Sequence, residues 1–163
     1  MNSYKIPEKT RVGHVHLKVS DLNRSLAFYV DLLGYRIRAK MGKQAVFIAA
    51  DDYHHHIALN TWQSAGLPPA NPRSVGLFHV ALVYPTRKDL GVILKRILDR
   101  NYPITGASDH GVSEAIYLDD PDGNGVELYW DRPETEWPKN SDGSIRLVTE
   151  QLDLDGLLKL VEI

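Results

Sequence analysis

The chain has 163 residues, 43% of them apolar and 25% charged, with a formal net charge of −2 and no cysteine. This is the length and composition of one globular domain. The absence of cysteine excludes a disulfide framework, a zinc ribbon and a thiol nucleophile, and no Lys/Arg-rich run points to nucleic acid or a membrane surface. MNSYKIPEKTRVG at the N-terminus lacks the apolar stretch of a signal peptide, and no apolar run approaches the roughly 18 residues of a membrane span. A cytoplasmic protein is the expectation.

Residues 12–19 read VGHVHLKV. Val15, Leu17 and Val19 alternate with His14, His16 and Lys18, the period-2 pattern of a strand with one apolar face. Leu22, Leu26, Tyr29, Leu32 and Leu33 then repeat at helical spacing and Gly34 follows, so residues 21–33 are expected to be a helix. Tyr35–Ala39, Ala45–Ala49 and His55–Trp62 read as strands. Residues 64–74, SAGLPPANPRS, read as a linker or ordered loop. The pattern then restarts. Gly76–Val83 is an expected strand. Thr86–Arg100 is an expected helix with Leu90, Ile93, Leu94, Ile97 and Leu98 on one stripe. Ile104–Ala107, Ala115–Leu118 and Val126–Trp130 are expected strands, the last after the turn DDPDGNG at 119–125.

Each half is thus β-α-β-β-β, an internal repeat. HVHLKVSDL in the first half matches HVALVYPTRKDL in the second, and HIALNTW matches GVELYWD. The match places His14 on His79 and Ala58 on Glu127. By strand alternation both histidines and the glutamate point away from the helices. If the two modules sit side by side, the three converge. Two imidazoles and one carboxylate suit a first-row divalent metal with positions left open to water or substrate. The ligands are 65 and 48 residues apart, so the fold and not a helical motif has to assemble them. From the pattern alone, a metal site and ordinary surface histidines both remain open.

GHVHLKVSDLNRSLAFYVDLLGY (13–35), GLFHVALVYP (76–85) and DHGVSEAIYLDDPDGNGVELYWDRP (109–133) resemble the vicinal oxygen chelate superfamily: glyoxalase I, bleomycin and fosfomycin resistance proteins, and type I extradiol dioxygenases. The tail, WPKNSDGS to LDLDGLL, is similar to catechol-2,3-dioxygenase-like members. The resemblance implies an α+β fold of paired βαβββ modules forming a half-open mixed β-barrel around a metal. It implies a domain over 1–133, with module one at about 11–62, a linker at 63–75 and module two at about 76–132. Residues 134–163 form a tail with a short helix. It carries the metal ligands onto His14, His79 and Glu127. Ala58 stands where glyoxalase-like members have a fourth carboxylate, which favours the three-ligand site of the extradiol branch.

The same resemblance implies catalytic roles for His56, Tyr117 and His110, the last across an alignment gap. Trp62 and Tyr129 are candidate substrate-binding aromatics. The residues also admit plainer readings: His56 as a polar strand edge, Tyr117 as a core aromatic, His110 as a loop histidine. His16 shares the parity of His14, but its repeat partner is Ala81. The implied function is ring cleavage of a catechol-like diol by O₂ on Fe(II), with Mn(II) as the alternative metal, in a homodimer. Two other classes stay open: a non-redox metal-dependent lyase, isomerase or thiol transferase, and a metal-free binding protein of the drug-sequestering type.

Overall fold

The structure is a computed structural model, and it describes residues 3–161. Two sheets follow the two halves of the sequence. The first contains β1 (Val15–Lys18), β2 (Arg36–Met41), β3 (Ala45–Ala49) and β4 (Ile57–Asn60), in the order β1-β4-β3-β2. The second contains β5 (His79–Val83), β6 (Gly106–Asp109), β7 (Ser113–Asp119), β8 (Gly125–Asp131) and β9 (Glu150–Gln151), in the order β5-β8-β7-β6-β9. In each sheet the first strand of the module runs parallel to the last, and the other pairs are antiparallel. Neither sheet closes on itself, which agrees with a half-open arrangement.

The pairing registers make the repeat physical. Val15 faces Ile57 and His16 faces Ala58 in the first sheet; Val80 faces Val126 and Ala81 faces Glu127 in the second. Ala58 therefore holds the place in its sheet that Glu127 holds in the other, and His14 precedes β1 by the step that separates His79 from Val80.

The expected strands shorten at their ends. The run at 12–19 begins pairing only at Val15, and the run at 76–83 only at His79. β1 and β5 are both edge strands, so the residues before them have ladder partners on neither side. Val12, Leu77 and Phe78 are exposed as a result. In the same way the run at 55–62 pairs only over 57–60, where both β1 and β3 flank it.

The first helix is α1 (Leu22–Leu26), capped by Asp21, whose carboxylate accepts from the Arg24 N–H at 2.8 Å. It then widens into a π-helical turn over Ala27–Leu32, with Leu33 N–H donating to the Phe28 carbonyl five residues back. Gly34, at φ +89°, ends it, and Tyr35 N–H returns to the Tyr29 carbonyl. The extra residue per turn puts Phe28 and Tyr29, as well as Leu32, into the core. α2 (Arg87–Asp99) is capped by Thr86 and buries Leu90, Ile93, Leu94 and Ile97. Leu98, expected on that stripe, is 45% exposed, and Gly91 is buried in its stead. A Cβ at Gly91 would meet the Leu157 carbonyl at 2.6 Å, so the glycine is what lets α3 (Leu154–Lys159) lie close on α2.

One apolar core spans both modules, from Leu17, Ile48 and Ile57 through Leu94 to Ile116 and Leu128. A polar latch also joins them. Asp122 is buried and accepts from Ser20 N–H at 3.1 Å, from Ser20 Oγ at 2.6 Å and from the Arg24 guanidinium. Asp120, equally buried, accepts from Tyr29 Oη at 3.0 Å and from the Asp122 and Asn124 amides at 2.9 Å each. Arg96 of α2 donates to the Leu32 carbonyl at 2.7 Å. The PDGN turn is thus a clamp between halves, built from groups that must be paired once buried.

Candidate metal centre

His79 opens β5 and Glu127 lies in the middle of the adjacent β8. Gly125 faces His79 in that pair, and a Cβ there would lie 2.4 Å from the Phe78 carbonyl and 3.1 Å from His79 Cβ. The last glycine of DPDGNG therefore admits the strand that carries the histidine. His79 Nε2 stands 3.0 Å from Glu127 Oε2, with side chains 32% and 12% exposed.

The other carboxylate oxygen of Glu127 accepts from Tyr117 Oη at 2.9 Å. Tyr117 is its direct cross-strand partner on β7. Beyond it, His110 Nε2 lies 2.7 Å from Tyr117 Oη, and His110 Nδ1 lies 2.9 Å from the Val148 carbonyl. These residues form one continuous polar line. A carbonyl only accepts, so Nδ1 of His110 carries hydrogen. Tyr117 has a single hydrogen for two neighbours. When Nε2 of His110 also carries hydrogen, the tyrosine donates to Glu127 and every contact is satisfied. When Nε2 is bare, the hydroxyl faces two acceptors and can serve only one of them at a time. Burial, the bond to Glu127 and that group's charge all push the Tyr117 hydroxyl well above the usual phenol range, so it stays a donor. Burial, then Asp131 and Glu127, raise Tyr129 as well.

The remaining candidates lie on the first sheet. His14 is exposed just before β1, its ring 4.4 Å from that of His55 and 6.5 Å from that of His54. His56 stacks on Tyr53 at 5.3 Å, accepts from the Ala50 N–H at 3.3 Å and stands 3.8 Å from Asp51. His16 bonds Asn60 at 2.9 Å, and its ring is 5.5 Å from that of Trp62. Burial first, then the surrounding histidines, lower the His55 pKa.

The structure thus brings together His79, Glu127, Tyr117 and His110, with Tyr129 two residues along β8. It does not bring His14, His56 or Trp62 to them. Among the described residues, no three His, Asp or Glu side chains are grouped to hold a metal ion. The expected convergence within one chain therefore does not occur. The modules join through their helices and the 120–124 turn, and leave β1 and β5 as edges of separate sheets.

The half-site itself fits a metal. His79 Nε2 and Glu127 Oε2 are at hydrogen-bond distance, and the same 3.0 Å suits two donors on neighbouring corners of an octahedron with bonds of about 2.1 Å. One imidazole nitrogen and one carboxylate oxygen are donors that a first-row divalent ion accepts. Tyr117 fixes the carboxylate from behind, as outer partners of metal ligands do.

Sequence reasoning missed a second network beside this line. Arg132 donates to Asp109 at 2.6 Å and to Glu114 at 2.7 Å, while Arg87 donates to the other oxygen of the buried Glu114 at 2.7 Å. A glutamate inside a strand that buries most of its neighbours was its one sequence signal.

The family model described as Glyoxalase/Bleomycin resistance protein/Dioxygenase superfamily matches residues 11–128. A catechol-2,3-dioxygenase of Bacillus subtilis (strain 168) is 41% identical over 94% of this chain, and a biphenyl-2,3-diol 1,2-dioxygenase 3 of Rhodococcus globerulus is 34% identical over 74% of it. The chain spans 53% and 63% of those two relatives. The metallothiol transferase FosB of Staphylococcus epidermidis is 28% identical, with 75% of this chain and 82% of that protein covered. Among solved structures, a glyoxalase/dioxygenase from Nostoc punctiforme superposes with a TM-score of 0.63 at 19% identity, over 82% of this chain and 99% of that one.

Proposed function

Because the chain belongs to the glyoxalase/bleomycin resistance protein/dioxygenase superfamily, we propose that it is an extradiol dioxygenase that opens a catechol-like ring with O₂. The observation that carries this reading is the His79–Glu127 pair at ligand spacing, backed by Tyr117 and His110. It is supported by the similarity to two dioxygenases named for aromatic diols.

In this reading His79, Glu127 and His14 hold Fe(II), with Mn(II) as the alternative. Such an ion would supply a redox-capable Lewis acid. His14 comes to the half-site from a second copy, in a homodimer that sets the first sheet of one chain against the second sheet of its partner. Ala58, in the place equivalent to Glu127, leaves the first sheet without a carboxylate and the site with open positions. Tyr117 orients a substrate hydroxyl through its raised, protonated phenol. His56 exchanges a proton with the diol and His110 acts through the Tyr117 hydroxyl that it holds, tasks suited to imidazole. Trp62 and Tyr129 wall the ring.

The test is oxygen uptake and visible absorbance after Fe(II)-loaded protein meets catechols in air. Uptake with a yellow ring-opened product is the expected result, and none across a broad panel counts against the reading. A thiol transferase is the second reading, favoured by the 82% coverage of FosB. Inactivity with Fe(II) and O₂, together with thiol transfer in the presence of Mn(II), would select it.

A further inference from the structure

We propose that residues 138–151 are a strap that positions His110, with the Val148 carbonyl as its working contact. Two bonds of opposite sense tie these residues together. Val148 N–H donates to the His110 carbonyl at 3.2 Å, and His110 Nδ1–H donates to the Val148 carbonyl at 2.9 Å. One residue of the tail grips both the backbone and the ring of His110.

The strap is held on both sides of that grip. Before it, Lys139 bridges Ile145 around a turn in which Asn140 N–H donates to the Ser144 carbonyl at 2.9 Å, and Arg146 N–H returns to the Pro138 carbonyl at 2.8 Å. After it, β9 adds to the edge of β6, Ser108 facing Gln151 and Asp109 facing Glu150. Leu152 and Leu157 are then buried in the core. The bed is shaped for the strap as well. Gly111 adopts φ +75°, and a Cβ there would meet Pro138 Cγ at 2.8 Å and Val148 Cγ2 at 3.2 Å. Only glycine combines that backbone with that closeness.

A ring held by Tyr117 alone is free to swing about one contact. Fixing Nδ1–H on a carbonyl sets the ring plane and leaves Nε2 as the nitrogen that faces Tyr117. Residues of the tail are therefore positioning residues for the His110–Tyr117–Glu127 line. The consequence for turnover rests on the dioxygenase reading; the placement of the ring does not.

Long-range nitrogen–proton correlation spectra of the imidazoles in the metal-free full chain test the proposal. The expected wild-type result is hydrogen on His110 Nδ1 with slow exchange to solvent. In Tyr117→Phe that protection persists. In Val148→Pro, which removes the reciprocal N–H bond, and in Gly111→Ala, which lifts the strap, the exchange quickens by about tenfold, the effect of losing one hydrogen bond. A wild-type ring bare at Nδ1 overturns the proposal. So does protection that survives both strap variants, or protection that Tyr117→Phe abolishes. Should a strap variant fail to fold, the wild-type and Tyr117→Phe spectra still decide. No iron or catechol enters the measurement, so an inactive enzyme leaves its result standing.

Discussion

His79 Nε2 and Glu127 Oε2 meet at 3.0 Å across two parallel strands, while the opposite oxygen of Glu127 is held by Tyr117 at 2.9 Å. One oxygen is held by the phenol and the other by the imidazole, so a cation at this site would take the imidazole nitrogen and the second oxygen together. Glu127→Gln keeps the shape and removes the charge, and His79→Ala removes the nitrogen donor. Each is expected to weaken Fe(II) or Mn(II) binding by more than about 100-fold, beyond the range seen for outer partners of metal ligands. Competition against a chromophoric chelator measures this. Retention of the metal at wild-type affinity in either variant would remove the pair from the ligand set.

His14 stands with His54 and His55 and away from this pair. If a second copy delivers it, defects on separate chains complement. His14→Ala and Glu127→Ala proteins, each unable to hold iron alone, are expected to recover about a quarter of the wild-type iron after mixing and re-equilibration of symmetric dimers. Absence of any recovery, with heterodimers shown to form, would place the third donor elsewhere.

Asp122 receives three hydrogen bonds from the start of the first helix. Asp122→Ala leaves a half-buried serine and a half-exposed arginine without their partner, and is expected to destabilise the fold by about 2 kcal/mol. Equilibrium urea unfolding measures it, and a change under about 0.5 kcal/mol would show that the turn does not clamp the modules.

Tyr102 donates to the Asp119 carbonyl at 2.7 Å, and burial, then Asp120 and Asp119, push its pKa up to about 12. The unfolded phenol titrates near 10. Between those values the folded state holds a proton that the unfolded state has lost. The contribution is fully present below about pH 10 and is lost as pH rises towards 12. Tyr102→Phe is expected to cost about 1 kcal/mol at neutral pH and to flatten part of the alkaline loss, as read by denaturant melts at stepped pH.

The fold was legible because its signals are local and repeated. Alternation in VHLKV, the helical spacing from Leu22 to Leu33 with Gly34 after it, and the DPDGNG turn each marked an element, and the register of His16 with Ala58 and of Ala81 with Glu127 confirms the repeat. Within the site, strand parity and the repeat singled out Glu127 and His79, while Tyr117 and His110 came from the resemblance to the superfamily and not from the local pattern. His14 was legible by its place in the repeat, but its distance from the pair was not. That depends on how two modules dock, and the docking runs through Asp120, Asp122 and Arg96, whose partners lie 64 to 102 residues away. Val148 was invisible because its contribution is a backbone carbonyl, which every residue carries.

If the chain is an extradiol dioxygenase, O₂ uptake is tied to opening of an aromatic diol. Anaerobically purified chain loaded with Fe(II), its bound iron quantified, is mixed with a panel of catechols under a known amount of oxygen. The account predicts about one O₂ consumed per diol opened, a yellow semialdehyde-type product, and loss of both in His79→Ala. A preparation that keeps its iron yet consumes no oxygen with any catechol would contradict it.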